Sequence, residues 1–375
     1  MSTVLIHSNA PWMPSGYGKQ AAHLVRTLQG MGHEVIVSAF AGLHGAPIDW
    51  NGVTVLPGGM YEYGVDVLIP HMDTVKPDLT VALMDVWKLG PLTDQLTGRN
   101  IAAWVPVDCA PLSRLDNAFF HQSGVRPIAM SRFGELQLKE AGLDPLYAPH
   151  VVDRDVFKPL THDDREKYRQ GMGLDGKFVI GLCAANNDAV RKGFPEQFEA
   201  FRAFHDKHQE AMLLVHAIGN SARGLDLNRL ALEIGIEPTS FRMTDTYPQV
   251  SGMFDDSLMA DWYGVLDVLS ACSYAEAFGV PLIEAQACGT PVVTTAGSAM
   301  KEIRGHGWLV DSEPFWNHPH ASWWERPKVA AITRAYEKAL VQASTRRDEA
   351  RDFSVDYDAS YADHHWAPIM ETLCG

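Results

Sequence analysis

Apolar strand-like runs alternate with amphipathic stretches along this chain, and the alternation occurs twice, on either side of a single break. TVLIHS at 3–8 reads as a buried strand, 18–32 as a helix and 33–40 as a second strand. In that helix Ala22, Val25, Leu28 and Met31 recur at a three-residue step, and Gly30 and Gly32 offer a stop. Further strands are predicted at 53–57, 79–84, 101–107 and 127–131. Between 149 and 176 the pattern dissolves into a segment rich in Pro, Asp and Gly, and then restarts. A strand at 178–185 precedes a helix at 195–208, with Pro195 at its first position and Phe198, Phe201 and Phe204 on one face. Strands follow at 211–219, 240–244, 265–273, 290–295 and 307–310, then helices at 328–343 and 359–373. Such alternation implies parallel sheets covered by helices on both faces. The reading is therefore α/β, with two doubly wound parallel-sheet domains in series and a crevice between them. Expected boundaries are 1–152, 153–345, and a tail at 346–375 returning to the first domain. Ligands of such sheets sit beyond the carboxyl ends of the strands.

Charge narrows the partners. Lys and Arg total 31 against 46 Asp and Glu, a net charge of −15. This disfavours broad binding to nucleic acid or an anionic membrane, which depends on excess basic residues, but leaves room for a local phosphate pocket. The five cysteines are odd in number and lack a CxxC pair, so no zinc site or disulfide framework is indicated. With no signal-like start and no apolar stretch of about 18 residues, the expectation is a cytoplasmic protein without a membrane span.

The chemistry concentrates in Ser273–Val293, SYAEAFGVPLIEAQACGTPVV. Glu276 and Glu284 stand eight positions apart across a loop that opens a helix. Pro281 suits the first helical position, and the backbone N–H groups around Gly279 and Val280 then form an anion site at the helix's positive end. Gly279 allows close approach of a phosphate. Glu284, about one turn into the helix, can accept the hydroxyls of a ribose, and Glu276 can hold sugar hydroxyls beyond the phosphates. A nucleoside diphosphate sugar fits this layout.

The segment closely resembles the donor-binding motif of retaining GT-B glycosyltransferases of family 4, S-x-x-E-G-F-G-x-P-x-x-E-A-x-A-x-G-x-P-V, with Ala277 replacing the common Gly. Three other stretches agree: the Gly-loop, helix and GHEV strand at the N-terminus, APHVVDRDVFKP at 148–159, and RKGFPEQFEAF at 191–201. The resemblance implies the GT-B fold, two Rossmann-like domains facing across a cleft. It also implies metal-independent, retaining transfer of a sugar from a nucleoside diphosphate to an acceptor hydroxyl, with no cofactor. Lys192 and Arg191 would neutralise the diphosphate. Glu284 would bind the ribose, and Glu276 the donor sugar, with backbone N–H groups of Phe278, Gly279 and Val280. Gly16 and Gly18 would face the phosphates from the first domain. Where the family often carries an Arg, this chain has Asn186, so the donor is either served by Arg191 or held differently. Base, sugar, acceptor and oligomeric state are left open. A silent sugar-nucleotide-binding module and a transferase acting on a modified nucleobase in DNA are the alternatives.

Gly16-Tyr-Gly18-Lys-Gln-Ala21 matches the dinucleotide fingerprint G-x-G-x-x-A but starts eight residues beyond its strand, and no acid ends the second strand. Asp153-Arg-Asp155 and Asp356-Tyr-Asp358 could suggest a metal site, but neither follows a strand into a cleft, so no metal is expected. Asp85, Trp87 and Asp108 end strands of the first domain, where the family takes acceptor contacts, and His71 is a further acceptor-side candidate. Trp308, Phe315, Trp316, Trp323 and Trp324 crowd one stretch, read as a long loop packed on the surface, a sugar-stacking platform or a partner interface.

Overall fold

The computed structural model describes residues 1–375, which divide into two compact units. Met1–Val151, Asn317–Ser322 and Ala359–Gly375 form the first, and Val152–Trp316 and Trp323–Asp358 the second.

Strands β1 (Thr3–Asn9), β2 (Glu34–Ala41), β3 (Ile48–Trp50), β4 (Val53–Leu56), β5 (Leu79–Leu83), β6 (Ile101–Val105), β7 (Arg126–Ala129) and β8 (Leu146–Tyr147) build the first sheet. Their order is β3-β4-β2-β1-β5-β6-β7-β8, parallel except where β3 runs against β4. Every residue of β5 and β6 is buried, as expected of central strands covered on both faces. The helix Gly16–Gly30 connects β1 to β2. Its cap is Ser15, whose side chain accepts the Gly18 N–H, and its exit is Gly32 at φ +84°. The final helix, Ala362–Cys374, closes this unit by setting Trp366 edge-on to Trp104, with ring centroids 5.0 Å apart.

The second sheet contains β9 (Phe178–Cys183), β10 (Ala211–His216), β11 (Phe241–Met243), β12 (Val268–Ala271), β13 (Val292–Thr295) and β14 (Trp308–Val310), in the order β11-β10-β9-β12-β13-β14. All its pairings are parallel. The helix Phe194–His205 turns Phe198, Phe201 and Phe204 into a core shared with Ile180, Leu213, Val215 and Tyr336. Both sheets are doubly wound, as the alternation implied. No helix is long and apolar enough to cross a membrane.

Three boundaries differ from the sequence reading. The strand predicted from 265 begins at Val268, because the helix Asp256–Val265 runs through Trp262 and Tyr263 to bury both rings. The aromatic stretch is not a loop: β15 (Ser312–Asn317) and β16 (Ser322–Pro327) pair as a two-stranded sheet, with Trp316 and Trp323 meeting edge to face at 5.0 Å. The tail from 346 also splits. Arg347 and Arg351 donate to the Leu266 and Ala287 carbonyls and hold 347–358 in the second unit, and only 359–375 joins the first.

Candidate functional site

The second unit gathers its charged residues where β9 and β12 end. Gly279 adopts φ +99° and ψ +59°, a left-handed conformation, and a Cβ there would lie 2.9 Å from Leu282 Cδ1. That turn lets the helix Val280–Ala287 start with Pro281 in its first turn. The first N–H groups of a helix have no partner within it and carry partial positive charge.

Just before this turn, Glu276 is clasped from two sides. Its Oε1 accepts from Lys192 Nζ at 2.5 Å and from Ser273 Oγ at 2.7 Å, and its Oε2 accepts from Arg191 Nη1 at 3.2 Å. Arg191 Nη1 also donates to the Ala275 carbonyl, and the Glu276 N–H donates to Ser298 Oγ. Burial works against the Glu276 charge, but Lys192 and Arg191 override it and hold its pKa at about 2. Lys192 is itself pushed below the usual range, first by burial and then by Arg191, against the pull of Glu276. Two cations and one carboxylate leave one net positive charge beside a helix N-terminus. The cations are presented by a tight turn: Asp188 Oδ1 accepts the N–H groups of Val190 and Arg191, and Gly193 (φ +58°) presses against the Cys272 carbonyl, where a Cβ would lie at 2.6 Å.

Glu284 lies on the same short helix, 4% exposed, and its Oε2 accepts from Tyr263 Oη at 2.8 Å. The same hydroxyl reaches Cys183 Sγ, at the end of β9, at 3.4 Å. Phe278 is buried beside Tyr357. Asn186 is engaged elsewhere: its amide donates to the Ile218 and Leu225 carbonyls and accepts the Leu225 N–H, tying down the 218–225 loop. Of the residues expected to meet a donor, the structure therefore brings together Lys192, Arg191, Glu276, Phe278, Gly279, Val280 and Glu284. It gives Asn186 a loop-holding role. Asp153 Oδ1 caps the turn at Asp155 and Val156, and Arg154 approaches Asp358.

The acceptor-side candidates fall in the first unit: Asp85, Trp87 and Asp108 follow the carboxyl ends of strands, and His71 lies in the helix Leu68–Val75. Asp85 accepts from Tyr17 Oη at 3.2 Å. Lys88 Nζ stacks over the rings of both Trp87 and Tyr63, and Trp87 meets His320 edge-on. Asp108 lies close enough to Cys109 and Asp116 to perturb both. Asp116, missed by the sequence reading, accepts from Ser113 Oγ at 2.7 Å, and its other oxygen has no hydrogen-bond partner. Burial, opposed by Ser113 and reinforced by the charges of Asp85 and Asp108, raises its pKa to about 7. Gly16 borders open space, whereas a Cβ on Gly18 would lie 2.5 Å from the Met13 carbonyl oxygen, so Gly18 serves close packing. Tyr263 was also missed. It lies outside the motif, and only the fold brings its hydroxyl to Glu284.

Residues 177–317 match the family described as glycosyl transferases group 1. A D-inositol 3-phosphate glycosyltransferase of Catenulispora acidiphila is 32% identical over 152 residues, 38% of this chain. That match spans about a third (32%) of the relative's own length. Among solved structures, the sucrose-phosphate synthase of Thermosynechococcus elongatus superposes with a TM-score of 0.75 at 16% identity, covering 100% of this chain and 99% of that one. Anabaena HepE, solved with UDP and glucose, gives 0.72 at 16% identity over 99% and 100% of the two chains. The chain has the two-domain GT-B fold of these proteins, and residues 177–317 in its second domain are similar to the group 1 glycosyltransferases.

Proposed function

We propose that the chain is a retaining, metal-independent glycosyltransferase that moves a sugar from a nucleoside diphosphate to an acceptor hydroxyl. The observation that carries this reading is the Lys192–Glu276–Arg191 cluster beside the N-terminus of the Glu284 helix. Breaking a sugar–phosphate bond needs stabilisation of the charge that develops on the departing diphosphate. Lys192, Arg191 and the first helical amides supply fixed positive charge for it, and Glu284 meets the ribose. In the reaction the acceptor oxygen bonds to the anomeric carbon as the carbon–phosphate oxygen bond breaks, on the face the diphosphate leaves. The acceptor proton passes to the departing phosphate oxygen, so no protein base is required. Glu276, held anionic by two cations, suits a ligand of the donor's hydroxyls. The complexes of HepE with UDP and UDP-glucose support a nucleotide-sugar donor.

The test is a thermal-shift panel of UDP-, GDP-, ADP- and dTDP-sugars with excess EDTA, on the native chain and on Glu284→Ala. A donor at about 100 times its dissociation constant adds about 2.7 kcal/mol, a shift of several degrees. One nucleotide family should respond, and the response should vanish in the variant. NMR of the transfer product should show the donor's anomeric configuration. Inversion, or a shift that appears only with added metal, overturns the reading.

A further inference from the structure

A chain of three buried or half-buried side chains runs through the first unit where β1 and β2 approach their carboxyl ends. His7 on β1 lies in register with Ser38 on β2. His7 Nε2 lies 3.0 Å from the Tyr63 carbonyl oxygen, and His7 Nδ1 lies 2.8 Å from Ser38 Oγ. Ser38 Oγ in turn lies 2.8 Å from Nδ1 of His71, in the first turn of the helix Leu68–Val75.

The protons along this chain have one consistent arrangement. A carbonyl oxygen only accepts, so His7 Nε2 carries the hydrogen. His7 is wholly buried, and burial holds its pKa down at about 4, so the ring is neutral and Nδ1 is bare. Ser38 must then donate its single hydrogen to His7 Nδ1. With that hydrogen committed, Ser38 Oγ accepts from His71 Nδ1–H. Burial also lowers the His71 pKa, against the pull of Asp66, and a neutral ring protonated at Nδ1 leaves Nε2 as a lone pair.

We infer that the His7–Ser38 relay fixes His71 as a hydrogen-bond acceptor, its bare Nε2 serving to orient a hydroxyl of a polyol acceptor. The surroundings suit such a ligand. Tyr63, whose carbonyl anchors the relay, packs its ring on Phe40 and carries Lys88, which also covers Trp87. The relay thus joins His71 to the wall that holds Trp87 and Asp85. His71 is half-buried, so its ring is reachable, whereas His7 and Ser38 are sealed. Ser38 and His7 are positioning residues that act through His71. The inference rests on the proposed transfer reaction for the meaning of the ligand, but the proton arrangement stands apart from it.

Long-range proton–nitrogen correlation spectra of the histidine-labelled full chain test the arrangement directly. At neutral pH, His71 should show a protonated Nδ1 and a bare Nε2, and His7 the reverse. Ser38→Ala should release His71 towards the opposite tautomer, and Ser38→Thr should restore it. A His71 ring that is charged, or protonated at Nε2, in the native chain overturns the relay. The ligand is then probed with D-glucose, D-fructose and myo-inositol, on the chain carrying the nucleoside diphosphate found by thermal shift. At least one should move the His71 Nε2 resonance. Ser38→Ala should weaken that polyol about tenfold, the worth of one hydrogen bond, with nucleotide affinity unchanged. If nucleotide binds and none of the three moves Nε2, the proposed role is wrong. If no nucleotide binds, the transferase reading fails, and the tautomer spectra still decide the relay.

Discussion

The two units place carboxylates at equivalent points, past the carboxyl ends of parallel strands, and surround them with opposite charge. Glu276 follows β12 and lies between Lys192 and Arg191. Asp85 and Asp108 follow β5 and β6 and crowd Asp116, which is buried with one oxygen unpartnered. One cluster keeps its carboxylate ionised and has positive charge to spare, so it suits an anionic diphosphate. The other drives a proton onto Asp116, so it suits neutral hydroxyl groups. Topology fixes where a ligand sits in both sheets, and the residues on the loops decide its charge.

The comparison is broken most forcefully at Lys192. Lys192→Ala removes a cation assigned to the diphosphate, and kcat should fall by about 10²–10³, as for loss of one group stabilising a developing oxyanion. Acceptor KM should stay within about twofold in steady-state assays, because the acceptor is assigned to the other unit. An effect on acceptor KM alone would reverse the assignment of the two clusters.

A smaller effect is expected at Tyr263. Tyr263→Phe keeps the buried ring but removes the hydroxyl that orients Glu284. A hydrogen bond to a charged group contributes about 1.5–3 kcal/mol, so nucleotide affinity should fall at least about tenfold by calorimetry. The 2′-deoxy nucleotide should lose less, because Glu284 is assigned to the ribose.

The smallest effect is a difference in pH response. Glu276, held at about 2, adds stability that is present above its unfolded pKa and lost as pH falls towards 2. Asp116 has the opposite sign. With its pKa raised from 3.8 to about 7, the folded state holds a proton that the unfolded state releases, so stability falls as pH rises between those values and levels off above. Asp116→Asn keeps an acceptor for Ser113 and removes this penalty. Its melting temperature should match the native chain near pH 4 and exceed it by a few degrees at pH 8. A constant difference across that range would show that Asp116 is not protonated in the folded state.

Much of this was legible in the sequence because it depends on local rules. Alternating apolar runs gave both sheets, and the three phenylalanines of the 194–205 helix gave its buried face. Gly279 and Pro281 gave the helix start, and the E-x7-E spacing gave the two acids. What was not legible depends on contacts across long separations. Tyr263 meets Glu284 from a neighbouring helix, and Ser38 joins His7 to His71 across three elements. Asn186 stood out as the position of a missing Arg, but its role became visible only with the 218–225 loop folded over it. The β15–β16 pair was hidden because its aromatic residues carry no turn signal stronger than His318-Pro-His320.

In the proposed reaction the Lys192–Arg191 cluster and the adjoining helix hold a diphosphate by fixed protein charge. The most direct measurement is calorimetric titration, in excess EDTA, of the responding nucleoside, its monophosphate and its diphosphate, into the native chain and Lys192→Ala. Affinity should rise steeply at the diphosphate, and that gain should largely disappear in the variant. Equal affinities for the three ligands, or diphosphate binding that requires added Mn²⁺, would contradict it.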